Sequence, residues 1–275
     1  MIERELAILG CGNIGTSVIK ALQQGSCPGY RLRWVFDQRE TDGVRIAVGE
    51  MGATWLKDPG ELGPQDRPDV LFEAATPSAL RQFAERFLEQ GTTVVAMSVG
   101  ALVDQEFLSR CLETARRAGV KFVIPSGAIG GLDVLRAARA LGGLHEVKVT
   151  TTKAPQALAG APFFTEHPVD LDALDKKTLI FSGTAREAIP LFPANVNILC
   201  SISLAGLGPD RTRARIFADP AARRTVHVVE AKGDFGKFRA EFQNFPSPDN
   251  PRSSYLASLS AVAALQRLGE DLVLS

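Results

Sequence analysis

Three glycines, Gly10, Gly12 and Gly15, fall as G-x-G-x-x-G in the run LAILGCGNIGTSVIKAL, residues 6–22. The residues before them are apolar and few, as in a buried strand, and those after them carry apolar positions at helical spacing. Glycine at a strand-to-helix turn leaves the main chain bare, so it can approach a diphosphate. The helix beyond then offers unpaired N–H groups and partial positive charge. Asp37 closes a second strand-like run, RLRWVFD (31–37), where a carboxylate accepts hydrogen bonds from ribose hydroxyls. These residues predict a dinucleotide site for NAD or NADP, with Gly10, Gly12, Asn13, Ile14, Gly15 and Asp37 as contacts. Arg39, two residues on, either pairs with a 2′-phosphate or is solvated, so the choice of cofactor stays open. The plain alternative is an ordinary turn followed by a surface aspartate. The order strand, glycines, helix, strand, acid argues against it.

Two further loops leave strands of the same pattern, EAATPSA (73–79) and MSVGAL (97–102). Ligands of open parallel sheets gather at carboxyl ends of strands, which makes Thr76 and Ser98 candidates for the nicotinamide side. Both also suit loop and capping positions. PSGAIGGLD (125–133) again joins a strand to a helix, with Gly127, Gly130 and Gly131. So much glycine predicts close approach of a ligand or of another backbone, with a tightly packed interdomain hinge as the alternative.

The elements that must position these residues follow from periodicity. Strands are predicted at 5–10, 31–37, 69–74, 92–98 and 120–125, and helices at 14–24, 78–90 and 104–118. Between 38 and 68 the chain reads only as a Gly- and Pro-containing region of mixed charge. Strands alternating with helices imply a parallel sheet covered on both faces. After a helix near 131–140 the pattern changes to strand runs at 145–153, 177–183, 213–219, 225–233 and 238–245, with a helix near 195–206. The fold class is therefore α/β: an N-terminal Rossmann domain, a doubly wound parallel sheet, then a second α/β domain on a mixed sheet. The expected bounds are 1–125 for the dinucleotide-binding domain, 126–245 for a substrate and dimerisation domain, and 246–275 for a C-terminal helix packing back on the first. Ser253 or Ser254 is its expected N-cap.

The 275 residues balance 31 Lys and Arg against 31 Asp and Glu, so no field draws the chain to nucleic acid or an anionic membrane. No segment reaches the ~20 apolar residues of a membrane helix, and the N-terminus has no targeting pattern. Cys11, Cys27, Cys111 and Cys200 are scattered, which predicts free thiols, no metal site and a cytoplasmic protein.

Several segments together resemble the L-aspartate dehydrogenase family: GCGNIG, MSVGAL, IPSGAIGGLD, FPANVNI, VHVVEAKGDFG and NPRSSYLASLSAVAAL, in order from residue 10 to residue 265. The resemblance implies NAD(P)-dependent oxidative deamination of L-aspartate to iminosuccinate, then oxaloacetate and ammonia, and in some organisms a supply of iminosuccinate for NAD biosynthesis. It implies a homodimer. It maps the catalytic histidine to His227 and cofactor contacts to Ala128 and to Asn195 or Asn197, of which Asn197 is favoured. Relatives often carry two adjacent basic residues where this chain has TTTKAP (150–155), so Lys153 alone fills that role.

The chemistry asks for a base that titrates near neutrality, and an unperturbed imidazole has a pKa of about 6.5. On its own, His227 in an apolar strand reads as a satisfied sheet residue; the resemblance makes it the base. Two substrate carboxylates require cations or oriented N–H donors. Lys153 and Arg252 are the candidates, with Lys232 and Arg211 still open. Two rival readings remain: another Rossmann-type oxidoreductase of a small dicarboxylate or sugar, and a non-catalytic NAD(P)-sensing protein.

Overall fold

The computed structural model describes residues 3–63, 65–192, 196–248 and 250–270, and among these the side chains of all but 196 and 250–252. The chain packs as two compact units, residues 1–125 with 257–275, and residues 126–256.

In the first unit β1 (Arg4–Leu9) leads into α1 (Asn13–Gln23), β2 (Tyr30–Phe36), α2 (Asp42–Met51) and β3 (Thr54–Leu56). Then follow β4 (Val70–Glu73), α3 (Pro77–Glu89), β5 (Thr93–Ala96), α4 (Gln105–Ala118) and β6 (Phe122–Val123). All six strands are parallel, in the order β3-β2-β1-β4-β5-β6. The order reverses between β1 and β4, which opens a crevice at their carboxyl ends. Leu6, Ile8, Val35 and Phe72 are fully buried, because helices on both faces leave a parallel strand no solvent side. Three positions correct the sequence reading. The mixed-charge region holds α2 and β3, started by Thr41, whose side chain accepts from Val44 N, and stopped by Gly52 in the left-handed region. Only Gly43, Val44 and Ala47 of α2 are buried, too few to make an apolar stripe. The strand predicted at 120–125 shrinks to two residues.

The second unit begins with α5 (Leu132–Ala140) and β7 (Leu144–Lys153). It continues through α6 (Phe163–Glu166), β8 (Thr178–Thr184), α7 (Ala185–Leu191), α8 (Val196–Ala205), β9 (Thr212–Ala218), β10 (Thr225–Gly233) and β11 (Gly236–Asn244). The sheet order is β11-β10-β7-β9-β8; β7 and β9 run parallel and the other pairs antiparallel. A ribbon of β12 (Pro246–Ser247) and β13 (Asn250–Ser254) precedes α9 (Tyr255–Gly269). The α7 helix, unread in the sequence, starts with a capping box between Thr184 and Glu187.

From Ala257 onward α9 belongs to the first unit, and Ala261, Ala264 and Leu265 enter the core around Leu6 and Ile8. Tyr30 Oη donates to Leu265 O at 2.9 Å, and Arg4 Nη1 donates to Leu268 O at 2.6 Å. The expected cap by Ser254 is not made: its buried Oγ has no hydrogen-bond partner among the described residues. If the Tyr30 bond docks the helix, Tyr30→Phe is expected to lower stability by about 1–2 kcal/mol, read from urea denaturation, with an unchanged midpoint as the contrary result.

Candidate active site

The glycine turn divides its labour by position. Gly10 has φ +93°, and a Cβ there would lie 2.7 Å from Ala75 N and Cα, so the chain leaving β1 rests directly on the chain leaving β4. A Cβ on Gly15 would lie 2.0 Å from Gly10 O. At Gly12 nothing of the protein stands within 4 Å. Two glycines are thus demanded by the fold itself, while the middle one faces open space, as a diphosphate cradle would have it. Gly12 also caps α1 with no side-chain hydrogen bond, and the first turn holds no acid. By contrast, Thr41, Thr76 and Asp104 cap α2, α3 and α4 with side-chain oxygens. Asn13 and Ile14 open α1 beside this bare turn.

Asp37 is held in place. Its Oδ2 accepts from Cys11 N at 2.8 Å and its Oδ1 from Arg39 N at 3.0 Å, which joins the end of β2 to the glycine turn. The Arg39 side chain is exposed. Thr76 Oγ1 accepts from Ala79 N at 3.1 Å as the cap of α3. Ser98 turns inward: its Oγ donates to Glu73 Oε1 at 2.7 Å. Glu73, fully buried at the end of β4, is a residue sequence reasoning missed. A glutamate closing an apolar strand offers only a faint signal.

In the second unit His227 on β10 pairs directly with Thr151 on β7, and His227 Nδ1 lies 3.0 Å from Thr151 Oγ1. Lys153, two residues along β7, shares that face by the period of a strand. Both are buried, at 3% and 8% exposure. No carboxylate pairs with the Lys153 ammonium among the described residues, and burial brings its pKa down to about 8. Burial, together with the Lys153 charge, pushes His227 down to about 3. In the free protein the imidazole therefore lies below the near-neutral value of an unperturbed histidine, since the dry setting and a like-charged neighbour both disfavour the imidazolium. The other two histidines are surface groups; His145 faces Asp234 and His167 stacks on Phe163.

The loop after β6 sits over this same sheet. Ala128 O accepts from Asn244 Nδ2 at 2.8 Å, both residues being buried. A Cβ on Gly131 would lie 2.4 Å from the Phe238 ring, and one on Gly130 would lie 3.4 Å from the ring of Phe242, the register partner of His227. Gly131, in the left-handed region at φ +75°, thus packs against the Phe238 ring, while Gly130 makes only ordinary contact with Phe242, a pairing that sequence spacing could not reveal. Asn197 lies exposed in the first turn of α8; Asn195 and the Arg252 side chain lie outside the described residues. Lys232 is committed to Glu146 at 3.0 Å, and Arg211 is exposed. Cys11, Cys27, Cys111 and Cys200 are free, buried thiols. Among the described residues no cluster of His, Cys, Asp and Glu could hold a metal, and no helix is long and apolar enough to cross a membrane.

A bare glycine turn, a fixed aspartate and the strand order of the first sheet define a Rossmann-type NAD(P)-binding oxidoreductase. Residues 10–125 match the model of the homoserine dehydrogenase NAD-binding domain, and residues 133–268 match that of the aspartate dehydrogenase C-terminal domain. The chain is 37% identical over 266 residues to L-aspartate dehydrogenase of Methanosarcina mazei, covering 96% of each. It is 40% identical over 264 residues to that of Cupriavidus necator, covering 94% of this chain and 96% of the relative. The crystal structure of aspartate dehydrogenase from Thermotoga maritima superposes with a TM-score of 0.75 at 24% identity, over 99% of this chain and 100% of that one. The chain belongs to the L-aspartate dehydrogenase family.

Gly12→Ala is expected to keep the fold, at a cost under about 1 kcal/mol, while NADH affinity measured by fluorescence titration falls at least about tenfold, or 1.4 kcal/mol. Gly15→Ala is expected to destabilise by about 3 kcal/mol or more. Equal NADH affinity in Gly12→Ala and the parent would place the cofactor elsewhere.

Proposed function

We propose that His227, oriented by Thr151, and Lys153 form the reacting centre of this NAD(P)-dependent aspartate dehydrogenase, the lysine holding a substrate carboxylate and the imidazole taking the proton. The observation that carries this reading is the buried ammonium, without a carboxylate partner among the described residues, beside a buried, hydrogen-bonded imidazole on one sheet face. A charge in such a site is unfavourable until an anion arrives, and an α-amino dicarboxylic acid brings two.

The bound cofactor supplies a hydride acceptor for C2 of the substrate. The chain's own residues do the rest. Lys153 fixes a carboxylate and with it the orientation of C2. His227 is neutral across the physiological range, so its lone pair is free to accept a proton from the amine and later from the water that adds to the imine. That role places the Nδ1 proton on the Thr151 bond and leaves Nε2 as the accepting atom. The balance is aspartate, NAD(P)+ and water giving oxaloacetate, ammonia, NAD(P)H and a proton. Substrate negative charge beside His227 offsets the Lys153 field, which lifts the imidazole pKa when a base is needed. Ala128, held by Asn244, and Asn197 are the cofactor contacts proposed from this unit; Asp37 and Thr76 are those from the other. A homodimer in the cytoplasm completes the proposal, supported by the family resemblance.

His227→Ala is expected to stay folded and bind NADH while kcat falls by roughly 100-fold or more; near-normal turnover would remove the histidine from the mechanism. A screen of amino acids with NAD and with NADP is expected to give aspartate as the preferred substrate.

Lys153 supplies a second test. Burial lowers its pKa from 10.5 to about 8, so the unfolded chain binds this proton more tightly and the native state is penalised by on the order of 3 kcal/mol at pH 7. The penalty fades as pH rises from about 8 towards 10.5. Lys153→Met is therefore expected to melt higher than the parent at pH 7, with the gap closing at alkaline pH, while the KM for aspartate rises at least about 100-fold. In the parent, KM is expected to climb above about pH 8 as the free enzyme loses this proton. A variant that binds aspartate normally would sink the anchor role.

A further inference from the structure

Glu73 is fully buried, yet it lines no apolar contact alone: three donors converge on its carboxylate. Ala75 N donates to Oε1 at 2.8 Å, Ser98 Oγ to Oε1 at 2.7 Å and Ser98 N to Oε2 at 3.1 Å. The first donor belongs to the loop leaving β4, the other two to the loop leaving β5. Its own main chain is tied in as well, since Met97 N donates to Glu73 O at 2.9 Å, and the next residue, through Ala74 N, donates to Leu9 O at 2.8 Å. Ala75 is the residue on which Gly10 rests, with no room for even a methyl group between them. One carboxylate thus spans the switch point of the sheet, from the β5 loop through the β4 loop to the first glycine of the phosphate turn.

We propose that Glu73 is a positioning residue for the dinucleotide: its carboxylate sets the β4 and β5 loops against the glycine turn and so fixes the floor on which the cofactor lies. The carboxylate does more than fill space, because the donors it gathers come from the two loops that border the glycine turn. An apolar group of similar volume would leave Ala75 N, Ser98 N and Ser98 Oγ without their acceptor, and burial holds the Glu73 carboxyl above the usual range although every donor facing it lowers it. An acceptor that takes three donors from two separate loops is what only a carboxylate supplies. Glutamine is nearly the same shape, but its amide nitrogen would face an N–H or O–H donor whichever way it is turned, so one loop must move. Ser98 follows from the same geometry. Its hydroxyl is spent on Glu73 and acts through it.

The test uses Glu73→Gln and Ser98→Ala in the full chain. It reads NADH dissociation constants by fluorescence titration, the aspartate KM at saturating cofactor, and urea denaturation. Glu73→Gln is expected to weaken NADH at least about tenfold and Ser98→Ala about threefold, with the aspartate KM at saturating cofactor within about twofold of the parent. A folded Glu73→Gln with parental NADH affinity overturns the proposal, as does a shift in urea midpoint with no shift in affinity, which is the signature of a strut. Should Glu73→Gln fail to fold, Ser98→Ala decides: parental affinity there overturns it, and a threefold loss supports it. Gly12→Ala separates this from the location of the site. Loss of NADH binding in Gly12→Ala with none in Glu73→Gln defeats only the role of Glu73, whereas no loss in either defeats the site.

Discussion

The backbone contact between Gly10 and Ala75 is the constraint on which the first unit turns. Two strands that are neighbours in the sheet but distant in sequence send their exits into the same space. They fit because one exit has no side chain and a conformation that other residues rarely adopt. The approach sets the direction of α1, and α1 in turn brings Gly15 within van der Waals range of Gly10 O. With both of those positions consumed by packing, the open space at Gly12 is a property of the turn and not an accident of a loose loop. The aspartate that ends β2 then locks the turn from the other side through Cys11 N.

The second unit works by the opposite means, withholding partners rather than filling space. Its inner sheet face is apolar in Val147, Val149, Val229 and Ala231. At one end it carries Thr151, Lys153 and His227. Dry surroundings strengthen every charge interaction made there and leave a lone ammonium poorly satisfied. Glu73 in the first unit is likewise buried, but its carboxylate is satisfied by three donors. The roles proposed for these residues, holding cofactor and substrate in register, are ones that use a buried charge.

Local chemistry explains which parts were legible from the chain alone. Long periodic segments such as α3 and α4, and alternating strands such as β10, declare themselves through residues that pack on one face. The α2 and α7 helices did not, because their apolar stripes are short and their caps, Thr41 and Thr184, are common loop residues. The glycine turn was readable since its spacing is a signature of its geometry. The glycine at 131 signalled closeness but not the neighbour it packs on, the ring of Phe238 more than a hundred residues away.

The identity of the fold and the cofactor class lay within the sequence, carried by motif order and by family-specific segments, which also pointed to His227 and Lys153 as candidates. What tertiary structure alone decided was the state of those groups. A pKa depends on what surrounds the side chain, and burial next to Lys153 makes His227 a neutral imidazole far below its free value. Partnership across strands likewise has no sequence period, so Thr151 at His227, Asn244 at Ala128 and Glu73 beneath Ser98 emerge only when the sheets are assembled.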